Sequence, residues 1–476
     1  MRGPRHRVVR VCPLARPIAA YVPSGQSARW STHTWKGLEM AMGLTSERGR
    51  SEAHWAAEQR VIGPGLQAVM LWSKLCVEHA EGAMLTDADG HEIVDFQGAG
   101  GVNSIGHSHP RYVAALAAQL TGTPAGAFGS PARLDMVNAL RRVLSAPLDR
   151  IQLYSGGTEA VEAALRLAKS VTGKHEFLSF WGGFHGKTMG SLALTSGARA
   201  GLGPLPAGSF SAPYANCYRC PLKLKSPSCG FACVDLARDV IKRESTGAFA
   251  AIVVEPVQGR SGNVVPPDGY LAALKEVAEE FDALLIADEM MTGFGRTGAP
   301  MAYQHDDVTP DIVTVGKGMG GGYPVTGVIS TAVHMSAAPF SDPSASSSSF
   351  GAFPMACRAV AATTDVLVDE DLAEHARKIG AELLELLRPL ADEAPLVGDV
   401  RGLGLAIGIE LVADKATKEP VSGQVLRETF LALLRAGVLV MTGGNTLRLY
   451  PPLNVDADLA REAAGVIRET LTGGSR

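Results

Sequence analysis

Thr314-Val-Gly-Lys317-Gly-Met-Gly-Gly-Gly-Tyr-Pro-Val325 is the stretch on which the fold assignment depends. The run Ile312–Val315 has the β-branched composition of a short buried strand. The glycines after it would weaken an ordinary helix or strand, and they let the backbone pass close to a ligand. The stretch predicts a lysine at the end of a buried strand, although a lysine in a flexible surface turn has the same local sequence.

Other short apolar runs lie on both sides of this lysine and lack the polar alternation of a half-exposed strand. They cover residues 151–154, 177–180, 251–254, 284–287 and 325–330. Helical patterns separate them, for example at residues 158–171 and 270–281. The economical fold is therefore α/β, with a mostly parallel sheet covered by helices on both faces.

The composition excludes several classes of protein. With 46% hydrophobic and 19% charged residues the chain is typical of an ordinary globular enzyme. A formal net charge of −4 gives no basic footprint for nucleic acid or for an acidic membrane surface. The sequence contains no apolar run of membrane-spanning length, and its 7 cysteines do not form the pattern of a secreted disulfide scaffold. We expect a cytoplasmic protein.

The first 40 residues differ from the rest because they are rich in arginine and have no acidic residue before Glu39. Such a leader is typical of an organelle transit peptide, but Pro4, Pro13 and Pro17 interrupt the amphipathic helix that a transit peptide needs. We favour a disordered tail or an over-extended start, with Met40 or Met42 as the functional beginning.

Three features of the sequence supply what pyridoxal phosphate needs. Ser155-Gly-Gly-Thr-Glu159 lies between a predicted strand and a helix, where free N–H groups either bind a phosphate or are simply capped by Ser155 or Thr158. Asp288 ends an apolar strand, and a buried carboxylate there requires a cation such as a protonated ring nitrogen. Lys317 offers an amine for a Schiff base.

At this point the chain resembles the class III (ω-amino acid) pyridoxal-phosphate-dependent aminotransferases, over about residues 60–472. The stretches that carry the resemblance are residues 95–110, 155–162, 184–186, 255–259, 288–298, 317–318, 349–351 and 448–453. Their order and spacing are together far more specific than any one of them. The resemblance implies a fold type I enzyme with a large domain of mostly parallel sheet and a smaller α+β domain.

The domain boundaries that we expect follow from the changes in sequence character. Residues 1–50 form a disordered N-terminal extension, and residues 51–110 form an N-terminal segment that contributes to the small domain. Residues 111–345 form the large domain that binds pyridoxal phosphate, and residues 346–476 form the C-terminal small domain. A hairpin at an Asp-Gly turn, residues 87–90, is expected to join the two ends of the chain in the small domain.

The resemblance also implies a role for each matching residue. Lys317 would carry the cofactor as an internal aldimine and move the proton, and Asp288 would keep the ring nitrogen protonated. Ser349 would reach the phosphate of the neighbouring subunit, which implies a homodimer with shared active sites. The residues expected at the cofactor are Gly156, Gly157, Thr158, Phe184, His185, Asp288, Met290, Met291, Lys317 and Ser349, with His185 more structural than a proton carrier.

The residues expected at the substrate are Arg448, Glu255, Arg260 and Lys187. Arg448 matches the arginine that pairs with the α-carboxylate of an amino acid or oxo acid. Arg260 stands where some members have a gating glutamate, so it either accepts a second acidic group or faces solvent. Lys187 stands where some members bind a distal carboxylate with arginine, and Met291 replaces a glutamine that meets the phenolic oxygen of the cofactor.

The expected reaction moves an amino group between a primary amine or ω-amino acid and a 2-oxo acid or another carbonyl acceptor. An aminomutase or a lyase on the same scaffold is the alternative. No metal is expected in the active site. Four cysteines in one loop, Cys217, Cys220, Cys229 and Cys233, suit either a tetrahedral zinc site or free and redox-sensitive thiols.

Overall fold

The computed structural model describes residues 49–126 and 128–473. Nearly all of the predicted N-terminal extension therefore lies outside the described residues. The strands, numbered in chain order, are β1 Val77–Glu81, β2 Met84–Asp87, β3 Glu92–Asp95, β4 Arg150–Tyr154, β5 Glu176–Phe180, β6 Ser209–Ala212, β7 Phe249–Val254, β8 Leu284–Asp288, β9 Ile312–Val315, β10 Thr326–Ser330, β11 Val397–Leu403, β12 Ala406–Asp414, β13 Glu419–Pro420, β14 Val438–Leu439, β15 Met441–Gly443 and β16 Thr446–Leu449.

Helices connect these strands and cover the sheets. The α-helices are Gly49–Glu58, Ala68–Ser73, the kinked segment Gly98–Gly101, Pro110–Thr121, Pro131–Leu140, Gly157–Thr172, Met189–Leu194, Ala232–Glu244, Tyr270–Glu280, Ala332–Met335, Pro354–Asp369, Leu372–Leu387, Leu390–Glu393, Gly423–Arg435 and Ala457–Thr472. Two short 3₁₀ helices span Ala302–Asp306 and Lys317–Gly320. No helix of the described ranges is long and apolar enough to cross a membrane.

The large sheet has seven strands in the order β4-β10-β9-β8-β7-β5-β6. Strands β9, β8, β7, β5 and β6 are parallel to one another, while β10 pairs antiparallel with both β9 and β4. This confirms the predicted α/β class and the mostly parallel sheet. The helical periods and the unbroken apolar runs of the sequence are sufficient for that prediction.

Burial on both faces explains why these strands carry unbroken apolar runs. On one face Val253, Ile286 and Ile312 pack in a cluster with the helix Gly157–Thr172. Residues one position away, such as Leu285 and Val313, point to the opposite face and join the main core. Because strand side chains alternate between faces, a strand covered on both sides must be apolar at every position.

Two smaller sheets belong to the two ends of the chain. Strands β1, β2 and β3 form an antiparallel meander in which β2 and β3 are the expected hairpin, and β14 from the C-terminal region pairs parallel with β3. The other sheet has the order β11-β12-β16-β15, with β13 paired to β12. The hairpin therefore joins the C-terminal strands as expected, whereas the domain boundaries themselves stay a prediction.

Candidate active site

Lys317 follows the inner strand β9 after one residue, Gly316, and begins a 3₁₀ helix. Its φ of +45° lies in the left-handed region, which costs a non-glycine residue free energy and is common where structure serves function. The turn after it is held by two hydrogen bonds: Ser104 Oγ donates to the Gly318 carbonyl at 2.8 Å, and the Tyr112 hydroxyl donates to the Gly320 carbonyl at 2.7 Å. The backbone around Lys317 is therefore fixed rather than flexible.

Asp288 lies at the end of β8, beside Lys317's strand, because Asp288 pairs in register with Thr314 of β9. Its two carboxylate oxygens have separate partners. Thr314 Oγ1 donates to Oδ1 at 2.9 Å, and His185 Nδ1 lies 2.7 Å from Oδ2. Burial opposes ionisation, but the His185 and Thr314 contacts hold the pKa of Asp288 below its ordinary value. Asp288 is thus an ionised, buried carboxylate.

The electrostatics of Lys317 bring the predicted residues into one site. Burial lowers the pKa of Lys317, while the negative charges of Asp288 and Glu255 oppose that shift and the positive charge of Arg448 adds to it. A lysine with a lowered pKa has a larger fraction of neutral amine, which is the nucleophilic form. Asp288, Glu255 and Arg448 therefore all lie close enough to act on the charge of Lys317.

Glu289 follows Asp288 in sequence but turns away from Lys317. Its carboxylate accepts a hydrogen bond from the Tyr303 N–H at 2.8 Å and another from the Thr292 hydroxyl. Burial raises the pKa of Glu289 to about 7. Of the two adjacent carboxylates, Asp288 therefore faces the site, whereas Glu289 holds the loop that contains Thr292 and Tyr303.

The beginning of the helix Gly157–Thr172 presents backbone N–H groups that have no acceptor within the helix. The Glu159 carboxylate occupies the two N–H groups just before it, those of Ser155 at 3.0 Å and Gly156 at 2.8 Å. Gly157 and Thr158 follow, and Met290 packs beside them, since a Cβ built on Gly157 would lie 3.5 Å from Met290 Sδ. This helix start offers N–H donors and a positive dipole end to an anion.

Glu255 is buried, and it organises the backbone next to Phe184. One carboxylate oxygen accepts the Phe184 N–H at 2.8 Å and the other accepts the Gly259 N–H at 3.1 Å. Burial raises the pKa of Glu255 to about 7. The exposed guanidinium of Arg260 lies 4.9 Å from the Phe184 ring centroid, within cation–π distance.

Arg448 lies in β16 and is 4% exposed, yet no carboxylate of the described residues forms an ion pair with it. Its Nη1 donates to the Gly259 carbonyl at 3.1 Å and its Nη2 to the Thr442 carbonyl at 2.7 Å. Its Nε has no hydrogen-bond partner among the described residues. A buried guanidinium without a counter-ion is costly, so this group is suited to an anionic ligand.

Met291 fills space between two glycines of the predicted site loops. A Cβ built on Gly101 would lie 2.7 Å from Met291 Sδ, and one built on Gly259 would lie 3.1 Å from Met291 Cγ. A thioether is at best a weak hydrogen-bond acceptor. Met291 therefore supplies packing where the resemblance implies an amide.

Two predicted residues lie apart from this group. Lys187 is exposed. Ser349 is also exposed, in a segment that packs along β4: the Tyr154 hydroxyl donates to the Ser346 carbonyl at 2.9 Å, and a Cβ built on Gly351 would lie 2.4 Å from the Leu153 carbonyl oxygen. Their contribution to the site stays a prediction.

The cysteine loop shows no clustering of metal ligands. Among the residues that the structure describes, no three His, Cys, Asp or Glu side chains converge to hold a metal ion. Burial raises the pKa of Cys217, and it raises that of Cys233 to about 11. Thiols with a raised pKa are protonated at neutral pH and are poor nucleophiles and metal ligands.

The donor set fits pyridoxal phosphate. An ionised, buried Asp288 provides a partner for a protonated ring nitrogen, the start of the helix Gly157–Thr172 provides an anion site, and Lys317 provides an amine of lowered pKa. The hydrogen bond from Thr314 to Asp288 was not predicted from the sequence. The parallel register of β8 and β9 brings Thr314 there, and pairing register is not visible in a single sequence.

Comparison with known proteins agrees with this geometry. The family model for class III aminotransferases matches residues 68–471. The chain is 34% identical to the acetylornithine aminotransferase of Methanothermobacter thermautotrophicus, over 84% of this chain and 94% of that protein. It is also 34% identical to the 5-aminovalerate aminotransferase of Pseudomonas putida, over 83% and 92% of the two chains.

Among solved structures, the amine transaminase of an uncultivated Pseudomonas species superposes with a TM-score of 0.82. It is 31% identical, covers 88% of this chain with 99% of its own, and was solved with pyridoxal phosphate bound as the internal aldimine. The protein is thus a fold type I, pyridoxal-phosphate-dependent enzyme. The chain belongs to the class III aminotransferases and is a transaminase.

Proposed function

We propose that the protein transfers an amino group from a primary amine or ω-amino acid to a 2-oxo acid, with Lys317, Asp288 and Arg448 as the residues that carry the reaction. The observation that supports this most is the group formed by Lys317, with its lowered pKa, beside the ionised Asp288. The two relatives described above are named for acetylornithine and 5-aminovalerate as substrates. These names favour a donor with a terminal amine.

Each residue has a distinct task in this proposal. The Lys317 amine would hold the cofactor covalently and, once released, accept and return a proton at Nζ. Asp288, oriented by His185 and Thr314, would hold a proton on the ring nitrogen by its negative charge. When bound, pyridoxal phosphate supplies an electron sink for the bond that is broken at the substrate carbon.

Other residues would hold the cofactor in place. Gly157 and Thr158 would take the phosphate at the helix start, and Phe184 and Met290 would cover the two faces of the ring. Gly156, also predicted there, already donates its N–H to Glu159 and would contribute only a close approach of the backbone. Glu255 would fix the Phe184 backbone, since it already accepts that N–H. Met291 would border the ring without donating a hydrogen bond.

The carboxylate of an amino acid or oxo acid is proposed to bind Arg448. This guanidinium already uses two donors on carbonyls, and its buried Nε is left without a partner among the described residues. Arg260 and Lys187, both exposed, are proposed to meet a second acidic group of a substrate. A planar guanidinium suits a carboxylate better than the ammonium of Lys187 does, and Arg448 is buried whereas Arg260 is exposed to screening by solvent. Arg448 is therefore the stronger site.

A panel of primary amines, with pyruvate or 2-oxoglutarate as acceptor, tests the proposed reaction. We expect the absorption of the bound cofactor to change on addition of a competent amine and to return on addition of the oxo acid. The new amino acid and the carbonyl product should form in equal amounts. Release of ammonia, or an isomerised amine without a carbonyl product, would instead identify a lyase or an aminomutase.

We also propose that the enzyme is a homodimer with shared active sites. Ser349 is exposed, and the neighbouring Phe350 has 64% of its surface exposed. A cleft beside them runs along β4 and is lined by Ile151, Gln152, Ser347 and Ser348. Apolar Met136, Val137 and Leu153 also line this cleft, and an open, partly apolar edge of this kind is suited to a second copy of the chain.

A cytoplasmic location is proposed from the thiols. Six cysteines of the described residues are unpaired. Free thiols persist in the reducing cytosol and are rare in secreted proteins. Cell fractionation with an antibody against the full chain would test this, and recovery of the protein in a secreted or organellar fraction would contradict it.

A further inference from the structure

Thr158, at the start of the helix Gly157–Thr172, takes part in a group of hydroxyls whose other members have no role in the proposed function. Thr158 Oγ1 lies 2.7 Å from Thr188 Oγ1 and 2.7 Å from Ser191 Oγ. The Thr188 hydroxyl donates to Glu162 Oε1 at 2.5 Å, and the Ser191 N–H donates to the same oxygen at 2.9 Å. Thr158, Glu162, Thr188 and Ser191 are called the hydroxyl cluster below.

Two glycines make this close approach possible. Gly186 has a φ of +136°, and a Cβ built on it would lie 2.4 Å from Ser191 Oγ and 2.5 Å from Thr158 Oγ1. A Cβ built on Gly190 would lie 2.4 Å from a carboxylate oxygen of Glu162. Any larger residue at either position would push the hydroxyl cluster apart.

The directions of the hydrogen bonds in the cluster follow from counting protons. A carboxylate only accepts, so the single Thr188 proton goes to Glu162. The short contact between Thr158 and Thr188 must then use the Thr158 proton, and the contact between Ser191 and Thr158 must use the Ser191 proton. The longer contacts of Ser191, 3.1 Å to Thr188 Oγ1 and 3.1 Å to the Thr188 carbonyl, receive no proton in this arrangement.

This arrangement conflicts with phosphate binding by Thr158. A phosphate dianion offers only acceptor oxygens, so Thr158 must donate to it. Its proton is already directed at Thr188. When Thr158 turns its proton to the phosphate, Thr188 must either lose its contact with Thr158 or withdraw its own proton from Glu162. Ser191 donates to Thr158 in both states and keeps the oxygen in place.

We propose that Glu162, acting through Thr188, competes with a bound phosphate group for the Thr158 proton and so weakens the hold of the enzyme on its cofactor. Glu162, Thr188 and Ser191 are positioning residues in this proposal, because they act through Thr158. The inference rests on the proposed function in one respect: the start of the helix Gly157–Thr172 must hold the phosphate.

The test measures the dissociation constant of pyridoxal phosphate by absorbance titration of the full chain stripped of cofactor. Competition by inorganic phosphate provides a second readout that does not involve catalysis. We expect Thr188→Val to tighten the binding of both ligands about three- to tenfold, the worth of one net hydrogen bond. Thr158→Val removes the donor and should weaken both by a similar factor. Glu162→Gln should tighten both by a smaller factor, because its amide oxygen still accepts the Thr188 proton but more weakly than a carboxylate does.

Thr188→Val is the decisive variant because it retains the charge of Glu162. If only Glu162→Gln tightens binding, simple charge repulsion explains the effect and the proposal is wrong. If Glu162→Gln and Thr188→Val both weaken binding, the cluster merely supports the loop and the proposal is also wrong. Thr188→Ser keeps the hydroxyl and should bind like the wild type, and Thr188→Ala replaces Thr188→Val if that variant does not fold.

Failure of the proposed function has a different signature. A wild-type protein that takes up no pyridoxal phosphate in this titration would refute the function itself. A wild type that binds the cofactor normally, with Thr188→Val unchanged from it, would refute only the competition for the Thr158 proton.

Discussion

The buried carboxylates in and next to the site differ in the direction in which the fold shifts their pKa. Asp288 is ionised because His185 and Thr314 satisfy it, whereas burial raises the pKa of Glu255 and that of Glu289 to about 7. A change of pH near neutrality should therefore affect the two glutamates and leave Asp288 charged.

Glu289 gives a prediction about stability and pH. Its pKa in the folded protein is about 7, above the ordinary 4.5, so its protonated form stabilises the fold and that contribution is lost as pH rises from about 4.5 through about 7. Glu289→Gln imitates the protonated acid. At pH 8 its free energy of unfolding should exceed that of the wild type by on the order of 1–3 kcal/mol, so it should also unfold at a higher temperature. At pH 5 the two proteins should differ little.

Thermal unfolding monitored by circular dichroism at both pH values would measure this difference. Glu276→Gln is the matched control, because it makes the same substitution and the same change in net charge at an exposed position. An equal effect of Glu289→Gln at pH 5 and pH 8 would contradict a raised pKa in the folded state.

Arg448 gives a prediction about substrate binding. Arg448→Gln removes the guanidinium that has no counter-ion among the described residues, so KM for the 2-oxo acid should rise about 10- to 100-fold, the worth of a charged hydrogen bond. The KM of an amine donor without a carboxylate should change far less. Steady-state kinetics with both substrate types would show the difference, and an equal rise in both would assign Arg448 to the fold instead.

At the scale of elements, the packing of one helix depends on a glycine that the sequence patterns do not distinguish. Gly380 lies on the buried face of the helix Leu372–Leu387, and a Cβ built there would lie 2.2 Å from the Gly404 carbonyl oxygen. Gly465 lies in the helix Ala457–Thr472 with nothing within 4 Å of its Cβ position. The two glycines occupy similar helical backbone but different surroundings.

Alanine should therefore have opposite effects at the two positions. Gly380→Ala should destabilise the protein by about 1–3 kcal/mol, because the methyl group meets backbone that cannot move aside. Gly465→Ala should stabilise it by up to about 1 kcal/mol, through helix propensity and reduced freedom of the unfolded chain. Denaturant unfolding of both variants measures this, and a stabilised Gly380→Ala would refute the close contact.

Most elements could be predicted from sequence, because doubly covered strands appear as unbroken apolar runs whereas amphipathic helices repeat every 3.6 residues. Strand β6 and strand β11 were missed: Ser209–Ala212 has only four residues with two serines, and Val397–Leu403 contains Asp399, Arg401 and two glycines. Arg401 tolerates the strand because it pairs with Asp399 at 2.7 Å and with Glu410 of the adjacent strand at 2.6 Å. Such cross-strand pairs depend on register and cannot be derived from a single sequence.

The candidate site was predictable in part for the same reason. Residues that follow strand ends, such as Asp288 and Lys317, could be placed together because parallel strands end at one edge of a sheet. The partners that tune the site could not be predicted: Thr314 beside Asp288, and Thr188 and Ser191 beside Thr158, are ordinary hydroxyl residues until the fold brings them into contact.

For the whole molecule, the proposed homodimer predicts how subunits share a site. Ser349→Ala should weaken cofactor binding about 10- to 100-fold, the worth of one hydrogen bond to a charged group. Phe350→Asp should convert dimer to monomer, because it places a charge on an exposed apolar edge. Light scattering after size exclusion reports the mass, and Phe128→Asp, also on an exposed phenylalanine, serves for comparison. A wild type that is monomeric at all concentrations would contradict the shared site.

The central claim is that Lys317 carries the cofactor, and reductive trapping tests it most directly. Borohydride reduction of the purified holoenzyme fixes the carbon–nitrogen bond, and peptide mass spectrometry then locates the modified lysine. We predict that the peptide containing Lys317 carries the cofactor and that Lys317→Ala yields no labelled peptide, while Lys187→Ala is labelled like the wild type. Label on another lysine, or full labelling of Lys317→Ala, would contradict the account.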